Sequence, residues 1–174
     1  MNVTFERPIL NTLVARLNES RKKIQILSGA RQVGKTTLSI QSLKKIQQPY
    51  VYAIAESGFT TNWIDQQWVK ARTMLHEYPA GAILVIDEIQ KIANWSERVK
   101  RLWDEDTTQE KALKVVLLGS SSLLLHRGLT ESMVGRYEVI HIPHWSFSEC
   151  HAAFDLSLDE FIYFGAYPGS LIYR

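Results

Sequence analysis

The chain has 174 residues, and its composition excludes several classes of protein. With 45% hydrophobic residues, 22% charged residues, 9 Gly and 5 Pro, it falls in the range of globular domains and outside the disordered and collagen-like classes. This length suits about one domain. The single cysteine, Cys150, excludes an intrachain disulfide and a cysteine-rich zinc site. We therefore expect one folded domain without disulfides.

The sequence contains no predicted membrane anchor or secretion signal. Its longest apolar runs, 82–86 and 115–118, are much shorter than the ~20 residues of a membrane-spanning helix. The first residues lack the basic start and the apolar core of a secretory signal. We expect a cytoplasmic protein that does not contact a membrane.

Charge is distributed unevenly along the chain, although the net charge is only +2. Residues 1–48 contain nine Lys or Arg and two Asp or Glu, a net charge of +7, whereas residues 49–174 contain eleven and sixteen, a net charge of −5. A polyphosphate ligand, a nucleic acid or a solvated helix face would each explain a basic end. Composition does not separate these three explanations.

Helices and strands are predicted to alternate. Apolar residues at helical spacing predict helices that begin near Pro8, run from about residue 35 to 47, cover 59–78, and begin again near residue 94. Short apolar or β-branched runs predict strands over 24–27, 50–54, 82–86, 113–118 and 137–142. The runs 82–86 and 113–118 are continuous, which is typical of parallel strands covered on both faces. The pattern predicts a three-layer α/β/α sandwich with a mainly parallel five-stranded sheet.

Between the first strand and the second helix lies the P-loop pattern G-x-x-x-x-G-K-[ST]. Glycines allow backbone N–H groups to point inward, and the following helix adds the positive end of its dipole, so such a loop can wrap phosphate oxygens. We expect Lys35 to reach the β- and γ-phosphates of ATP, Thr36 to ligate Mg²⁺, and Thr37 to contact the α-phosphate. The predicted nucleotide-binding residues are Gly29, Ala30, Arg31, Gln32, Val33, Gly34, Lys35, Thr36 and Thr37.

Two adjacent carboxylates end the strand predicted at 82–86. A run of apolar residues followed by Asp87 is the pattern of an acid that holds the Mg²⁺ of a bound nucleotide, here through water. Glu88 is placed to act as the general base that activates the attacking water. An ordinary strand that ends in a solvated acidic turn is the alternative.

Two further residues, Ser120 and Arg136, are predicted to assist catalysis, and each has a structural alternative. Ser120, with Ser121 as the second choice, follows the strand at 113–118 and would sense the γ-phosphate or fix the attacking water; the structural alternative is a helix N-cap. Arg136 precedes the fifth strand and would stabilise transition-state charge in its own or a neighbouring subunit; the alternative is a surface salt bridge. Arg127 and Arg31 are weaker candidates for this role.

Two other groups suggest binding sites only weakly. His141, His144, Cys150 and His151 match no zinc spacing, so we favour packing over metal binding. Residues 21–23, Arg-Lys-Lys, would suit nucleic acid, but three basic residues before a strand are more often solvated.

The chain resembles the N-terminal ATPase domain of bacterial and archaeal AAA-superfamily proteins that carry a C-terminal DUF4143 region. The resemblance runs in order from Glu6 to about Cys150, in the segments ERPIL, LSGARQVGKTTL, ILVIDEIQKI, LLGSSSLLL, SMVGRYEVI and HWSFSEC. It implies an AAA+-like P-loop NTPase core with the P-loop strand at its centre. The family usually has two glycines before Tyr-Pro, whereas this chain has Gly165 and Ala166 there. The family also continues well beyond the position of residue 174.

The resemblance implies that residues 1–155 are the ATPase domain and that 156–174 begin a following helical region that is truncated here. It assigns the phosphate loop to 29–36, the acidic pair to Asp87 and Glu88, the sensor to Ser120 or Ser121, and the arginine to Arg136. Our leading hypothesis is therefore Mg²⁺-dependent binding and hydrolysis of ATP. The second hypothesis is a nucleotide-gated module that hydrolyses ATP slowly and contacts DNA, a protein or another copy of itself. A small-molecule kinase is the third.

Overall fold

The structure is a computed structural model that describes residues 5–119 and 133–173. Five strands are present in the described residues: β1 Ile24–Ser28, β2 Tyr50–Ile54, β3 Ala82–Asp87, β4 Leu113–Gly119 and β5 Tyr137–His141. The same residues form six α-helices: α1 Leu10–Asn18, α2 Lys35–Lys45, α3 Thr61–Glu77, α4 Trp95–Thr108, α5 Phe147–Phe154 and α6 Leu158–Phe164. Short 3₁₀ helices cover Ile89–Lys91 and Pro168–Tyr173.

The five strands form one parallel sheet in the order β2-β3-β4-β1-β5. The last residues of β1 and β4 are in register, Ser28 with Gly119, and Asp87 at the end of β3 is level with Ile54 of β2. All five strands therefore end at the same edge of the sheet. The predicted α/β fold with a parallel five-stranded sheet is confirmed, but β4, and not the strand before the P-loop pattern, occupies the centre.

Alternating strand side chains build a core on each face of the sheet. One core packs against α3 and α4 and includes Ile26, Leu84, Ile86, Val115 and Leu117. The other packs against α1 and α2 and includes Leu27, Ile83, Val85, Val116 and Leu118. Because both faces are covered, these strands read as continuous apolar runs in the sequence.

The main difference from the predicted elements lies near the end of the chain. Helix α5 has no long apolar repeat and was not among the predicted helices. A capping box begins it: the Ser146 hydroxyl accepts from the Glu149 backbone N–H, while Glu149 accepts from the Ser146 backbone N–H. The sequence Ser-Phe-Ser-Glu is the local signal for this helix. A second capping box, with Ser157 and Glu160, begins α6.

No helix in the described ranges 5–119 and 133–173 is long and apolar enough to cross a membrane. The division of the chain at residue 155 stays a prediction.

A buried polar network joins α3 to α4. Asp106 is fully buried and accepts hydrogen bonds from Trp68 Nε1 and Arg72 Nε, each at 2.7 Å. A buried carboxylate is tolerated when its charge is paired and its oxygens are hydrogen-bonded. This network locks the two helices that cover one face of the sheet.

We predict that Asp106→Ala lowers the free energy of unfolding by about 3–5 kcal/mol, because it leaves the Trp68 and Arg72 donors without their acceptor. Asp104→Ala is the matched control on the same helix. It breaks an ion pair with Arg136 whose side chains are 33% and 41% exposed, so its cost is below about 1 kcal/mol. Urea unfolding followed by tryptophan fluorescence measures both values, and equal costs for the two variants would contradict the prediction.

Candidate functional site

The loop between β1 and α2, called the glycine loop here (residues 29–34), has glycine at two positions where its geometry favours that residue. Gly34 has φ of 91°, a left-handed conformation that glycine adopts readily, and it directly precedes α2. At Gly29, an added Cβ would lie 2.4 Å from the carbonyl oxygen of Ile142. Gly29 is therefore required because the segment after β5 passes directly against the loop.

Lys35, the first residue of α2, folds back across the glycine loop. Its ammonium donates to the carbonyl oxygens of Gly29 at 2.9 Å and Ala30 at 2.5 Å, and the residue is 7% exposed. Burial lowers the pKa of Lys35 below its ordinary value, while the nearby Glu88 and Asp87 carboxylates act in the opposite direction. A buried cation thus lies at the base of the loop.

The carboxylate of Asp87 connects the end of β3 to the start of α2. Its Oδ2 accepts from the Thr36 hydroxyl at 2.7 Å and from the Tyr52 hydroxyl at 2.8 Å, and its Oδ1 accepts from the Glu88 backbone N–H at 2.8 Å. Asp87 is 4% exposed. The structure therefore brings Thr36 and Asp87, which are 51 residues apart, into direct contact.

Glu88 lies beside this cluster in a strained backbone conformation. Its φ of 57° is left-handed, which is uncommon for a residue other than glycine and concentrates at functional sites. Its carboxylate accepts from Gln90 Nε2 at 2.9 Å and lies 3.8 Å from the Lys91 ammonium. The side chain is 26% exposed, so water can reach it.

These residues line an open polar cleft of about 620 Å³ at the edge where the strands end. Its lining contains the predicted residues Arg31, Gln32, Gly34, Lys35, Thr36, Thr37, Asp87 and Glu88, together with Lys91. Lys91 follows β3 in the short 3₁₀ helix and was not predicted. The structure thus collects most of the predicted site residues in one cleft, whose lining includes the three cationic side chains of Arg31, Lys35 and Lys91.

Tyr52, in the middle of β2, was also not predicted. Burial raises the pKa of the Tyr52 hydroxyl far above its ordinary value, and the adjacent Asp87 carboxylate adds to the effect. The hydroxyl therefore stays protonated and donates to Asp87. A strand residue 35 positions away from an acid carries no local signal of such a contact.

Arg7 holds the glycine loop from the outside. The carbonyl of Val33 accepts hydrogen bonds from Arg7 Nη1 at 3.0 Å and from Trp145 Nε1 at 3.2 Å. Arg7 is 5% exposed and also donates to the carbonyl oxygens of Pro143 and His144. The segments ERPIL and HWSFSEC thus meet at this one carbonyl of the loop.

Glu149 completes this arrangement as the charged partner of Arg7. Its two carboxylate oxygens accept from Arg7 Nε at 2.8 Å and Nη2 at 3.1 Å. Burial acts to raise the pKa of Glu149, but hydrogen bonds from Arg7 and Ser146 outweigh it, so the pKa lies below its ordinary value. Because Glu149 also caps α5, the same carboxylate fixes Arg7 and the start of that helix.

A second pocket, called the aromatic pocket here, opens beside the polar cleft. It has a volume of about 420 Å³ and shares Gln32, Gly34 and Thr37 with the cleft. Its remaining lining is mostly apolar and aromatic: Phe5, Arg7, Leu38, Gln41, Trp145, Ala153, Phe154 and Pro168. The glycine loop and the start of α2 therefore lie between a charged cleft and an aromatic pocket.

The structure places Arg136 away from the cleft of its own chain, which does not support the first of its two predicted alternatives, a role in its own subunit. The carbonyl of Arg136 accepts from the backbone N–H of Ile24, the first residue of β1, so Arg136 lies where the strands begin. At about 3.3 Å per residue, the strand places it roughly 13 Å from the end of β1. Its guanidinium binds Asp104 of α4 through two hydrogen bonds, as in the salt-bridge alternative.

The structure describes some of the remaining candidate residues and not others. Ser120, Ser121 and Arg127 lie outside the described residues. Arg21 is partly buried: its guanidinium carbon lies 3.4 Å from the centre of the Trp103 ring, and it donates to the carbonyls of Trp103 and Leu113, whereas Lys22 and Lys23 are exposed. Among the described residues, no group of three His, Cys, Asp or Glu side chains is arranged to hold a metal ion.

This parallel sheet, with the glycine loop between β1 and α2, defines the P-loop NTPase fold. The chain matches the AAA_14 family, described as an AAA domain, over residues 21–151. It therefore belongs to this family of AAA domains and has a P-loop, ATPase-like nucleotide-binding core.

Similar proteins support the fold and the family without defining an activity. The chain is 24% identical to an uncharacterized protein of Methanocaldococcus jannaschii over 84% of its length, and 28% identical to one of Haemophilus influenzae over 72%. It covers 36% and 32% of those relatives, about a third of their length. The Orc1 protein of Aeropyrum pernix, solved in complex with DNA, has the same fold, with a TM-score of 0.61 and 14% identity over 84% of this chain and 47% of that one.

We predict that Glu149→Gln lowers the free energy of unfolding at neutral pH by about 2 kcal/mol, because hydrogen bonds to a charged carboxylate are replaced by weaker ones. Since the pKa of Glu149 is lowered by folding, its contribution is complete above the unfolded-state value near 4.5 and is lost as the pH falls below it. The difference between wild type and variant should therefore shrink in acid.

Thermal unfolding from pH 7 to pH 3 measures this difference. Glu6→Gln is the control, because Glu6 is 48% exposed and pairs with Lys45 at the surface. A difference between wild type and Glu149→Gln that stays constant across this range would show that the charge of Glu149 is not responsible.

Proposed function

We propose that this domain binds ATP with Mg²⁺ and hydrolyses it in the polar cleft. The observation that carries the proposal is the contact between Thr36 and Asp87. It joins the first turn of the helix after the glycine loop to the acidic end of β3, and Glu88 lies immediately beside it. A hydroxyl, a carboxylate and a second carboxylate that water can reach are the groups that nucleotide hydrolysis requires.

The residues of the cleft suit Mg²⁺. This ion prefers oxygen ligands and binds through one or two carboxylates together with water and phosphate oxygens. The cleft offers the Thr36 hydroxyl and the Asp87 carboxylate, which we propose as direct and water-mediated ligands. Bound Mg²⁺ would supply positive charge to the phosphate oxygens. Asp87 is already oriented by three hydrogen bonds, so little rearrangement is needed.

The glycine loop suits the phosphates. Nothing lies within 4 Å of a Cβ built on Gly34, so the loop is open at the point where α2 begins. The helix start contributes free N–H groups and the positive end of its dipole. The Lys35 ammonium is held by two neutral carbonyls and can turn from them to phosphate oxygens. Burial disfavours the protonated amine, and the negative charge of the phosphate would favour it.

The aromatic pocket suits the base of the nucleotide. It adjoins the cleft through Gln32, Gly34 and Thr37, and the rings of Phe5 and Phe154 flank Trp145 with centroids at 5.7 and 5.3 Å. Aromatic faces stack on planar ligands, and the amide side chains of Gln32 and Gln41 offer donors and acceptors at the rim. We propose that adenine binds there.

In the hydrolytic step, water attacks the γ-phosphorus, and the bond from that phosphorus to the β,γ-bridging oxygen breaks to give ADP and phosphate. We assign Glu88 as the base that accepts the proton of the attacking water, and Lys35 as the cation that stabilises the phosphate oxygens. Ser120 as a γ-phosphate sensor, and Arg136 as a residue acting on a neighbouring subunit, remain predictions.

The second candidate is a nucleotide-gated interaction module. It is supported by the Val33 carbonyl, which ties the glycine loop to Arg7 and Trp145, so that loop occupancy can be transmitted to α5. Orc1, which shares the fold, was solved with DNA, and DNA, a protein or a second copy are proposed partners. Membership of the DUF4143-containing group also remains a proposal.

We predict that Lys35→Ala weakens ATP binding by about tenfold to hundredfold, because charge-assisted hydrogen bonds to phosphate are lost. Glu88→Gln should bind ATP normally but reduce turnover by roughly 100-fold or more, because only the base is removed. Isothermal titration and phosphate release measure the two effects. Glu77→Gln, at an exposed position at the end of α3, is the control.

The outcomes separate the two candidates. Turnover by the wild type that Glu88→Gln abolishes supports the hydrolase. Tight ATP binding without turnover, combined with nucleotide-dependent binding of a partner, supports the interaction module. Affinity that is unchanged in Lys35→Ala would contradict both.

We predict that Phe154→Ala weakens binding of ATP about five- to tenfold, because the base loses a stacking surface. The same variant should bind tripolyphosphate, which has no base, as the wild type does. Competition titrations with both ligands test this, with Ile162→Ala on α6, 72% exposed, as the control. Equal losses for ATP and tripolyphosphate would show that Phe154 acts on the loop and not on the base.

A further inference from the structure

Tyr52 lies on β2, a strand that contains none of the site residues predicted from the sequence. Asp87 is level with Ile54 in the pairing of β3 with β2, and Tyr52 lies two positions earlier on β2. Side chains at alternate positions share a face of the sheet, and two positions span about 6.6 Å. A tyrosine is long enough to cover that distance, and its hydroxyl lies 2.8 Å from Asp87 Oδ2.

The three donors on Asp87 differ in their origin. The Thr36 hydroxyl belongs to the helix that follows the glycine loop, and the Glu88 N–H belongs to the strained turn after β3. Both of these segments line the cleft and would contact ligands. Tyr52 is anchored in the sheet itself and packs against the core formed with α1 and α2. Of the three, it alone lies on a regular strand.

A buried carboxylate needs its donors in order to keep one orientation. Asp87 is 4% exposed, and its Oδ2 atom accepts two of the residue's three described hydrogen bonds, from Thr36 and Tyr52. With the Tyr52 hydroxyl removed, the donors on Asp87 that remain within the described ranges are the two that belong to segments lining the cleft. The carboxylate would then turn more freely, and a metal site would lose preorganisation.

We propose that Tyr52 is a positioning residue for Mg²⁺, which orients the Asp87 carboxylate from the neighbouring strand so that a nucleotide binds together with the metal. This proposal rests on the proposed function, because it concerns the Mg²⁺ site of the same cleft. Tyr52 acts through Asp87 and does not itself contact the nucleotide. It therefore affects the part of nucleotide affinity that depends on Mg²⁺, and not the part supplied by Lys35 and the glycine loop.

The test compares Tyr52→Phe with the wild type in binding ADP that carries a fluorescent label, once with Mg²⁺ and once with EDTA. The change removes one hydroxyl and keeps the ring. In EDTA, we expect the two proteins to bind labelled ADP with affinities that agree within about twofold. In Mg²⁺, we expect the affinity of Tyr52→Phe to be about tenfold below that of the wild type, the effect of one hydrogen bond to a charged group. The Mg²⁺ concentration for half-maximal effect should rise by a similar factor.

Tyr50→Phe is the matched control. Tyr50 lies on the same strand, is 46% exposed, and is level with Ile83, four residues before Asp87. It should behave as the wild type in both conditions. Circular dichroism and thermal unfolding of all three proteins show whether Tyr52→Phe is folded. If Tyr52→Phe is not folded, Tyr52→His, which keeps a ring and a donor, is measured in the same way. It should retain part of the gain in affinity for labelled ADP that Mg²⁺ gives the wild type.

Each outcome has one meaning. A loss confined to Mg²⁺ supports the proposal. An equal loss in EDTA would show a general structural role, and no loss in either condition would show that the hydroxyl is dispensable; both results overturn the proposal and leave the proposed function intact. If the wild type binds no labelled ADP, or if the Lys35→Ala variant binds it as tightly as the wild type, the proposed function fails.

Discussion

The burial of the Asp87 charge is the constraint around which the site is organised. A carboxylate withdrawn from water needs hydrogen-bond donors, and three come to it from separate parts of the fold: the start of α2, the middle of β2 and the turn after β3. They can meet because parallel strands all end at one edge of the sheet. The same arrangement that satisfies the charge therefore builds a cleft that is open to a polyphosphate.

The glycine loop is held by a second buried charge. Arg7 binds Glu149 and at the same time donates to the carbonyl of Val33, so the loop is fixed against the segment that follows β5. Gly29 allows that segment to pass at contact distance. Lys35 contacts the loop at the cleft, and Arg7 joins it to Glu149 at the start of α5, so the loop connects the cleft to α5.

Much of the fold and part of the site could be predicted from the sequence. Continuous apolar strands and amphipathic helices predict a covered parallel sheet, because burial on both faces leaves that pattern in the residues. The predicted loop and acidic pair, around Lys35 and Asp87, lie in one cleft as expected. The contacts of Arg7 and Tyr52 could not be predicted, since each joins residues far apart in the chain. The ion pair of Arg136 with Asp104 could not be predicted for the same reason, because 32 positions separate the two residues.

The sequence by itself determined the order of the five strands and of helices α1 to α4, the class of the loop and most residue types of the cleft, because these depend on local spacing and on the hydrophobic pattern. The tertiary structure alone decided which strand is central, which donors reach Asp87, and which arginines bind protein groups. Strand order and side-chain reach depend on how distant segments pack, and that information is not written in any short stretch of residues.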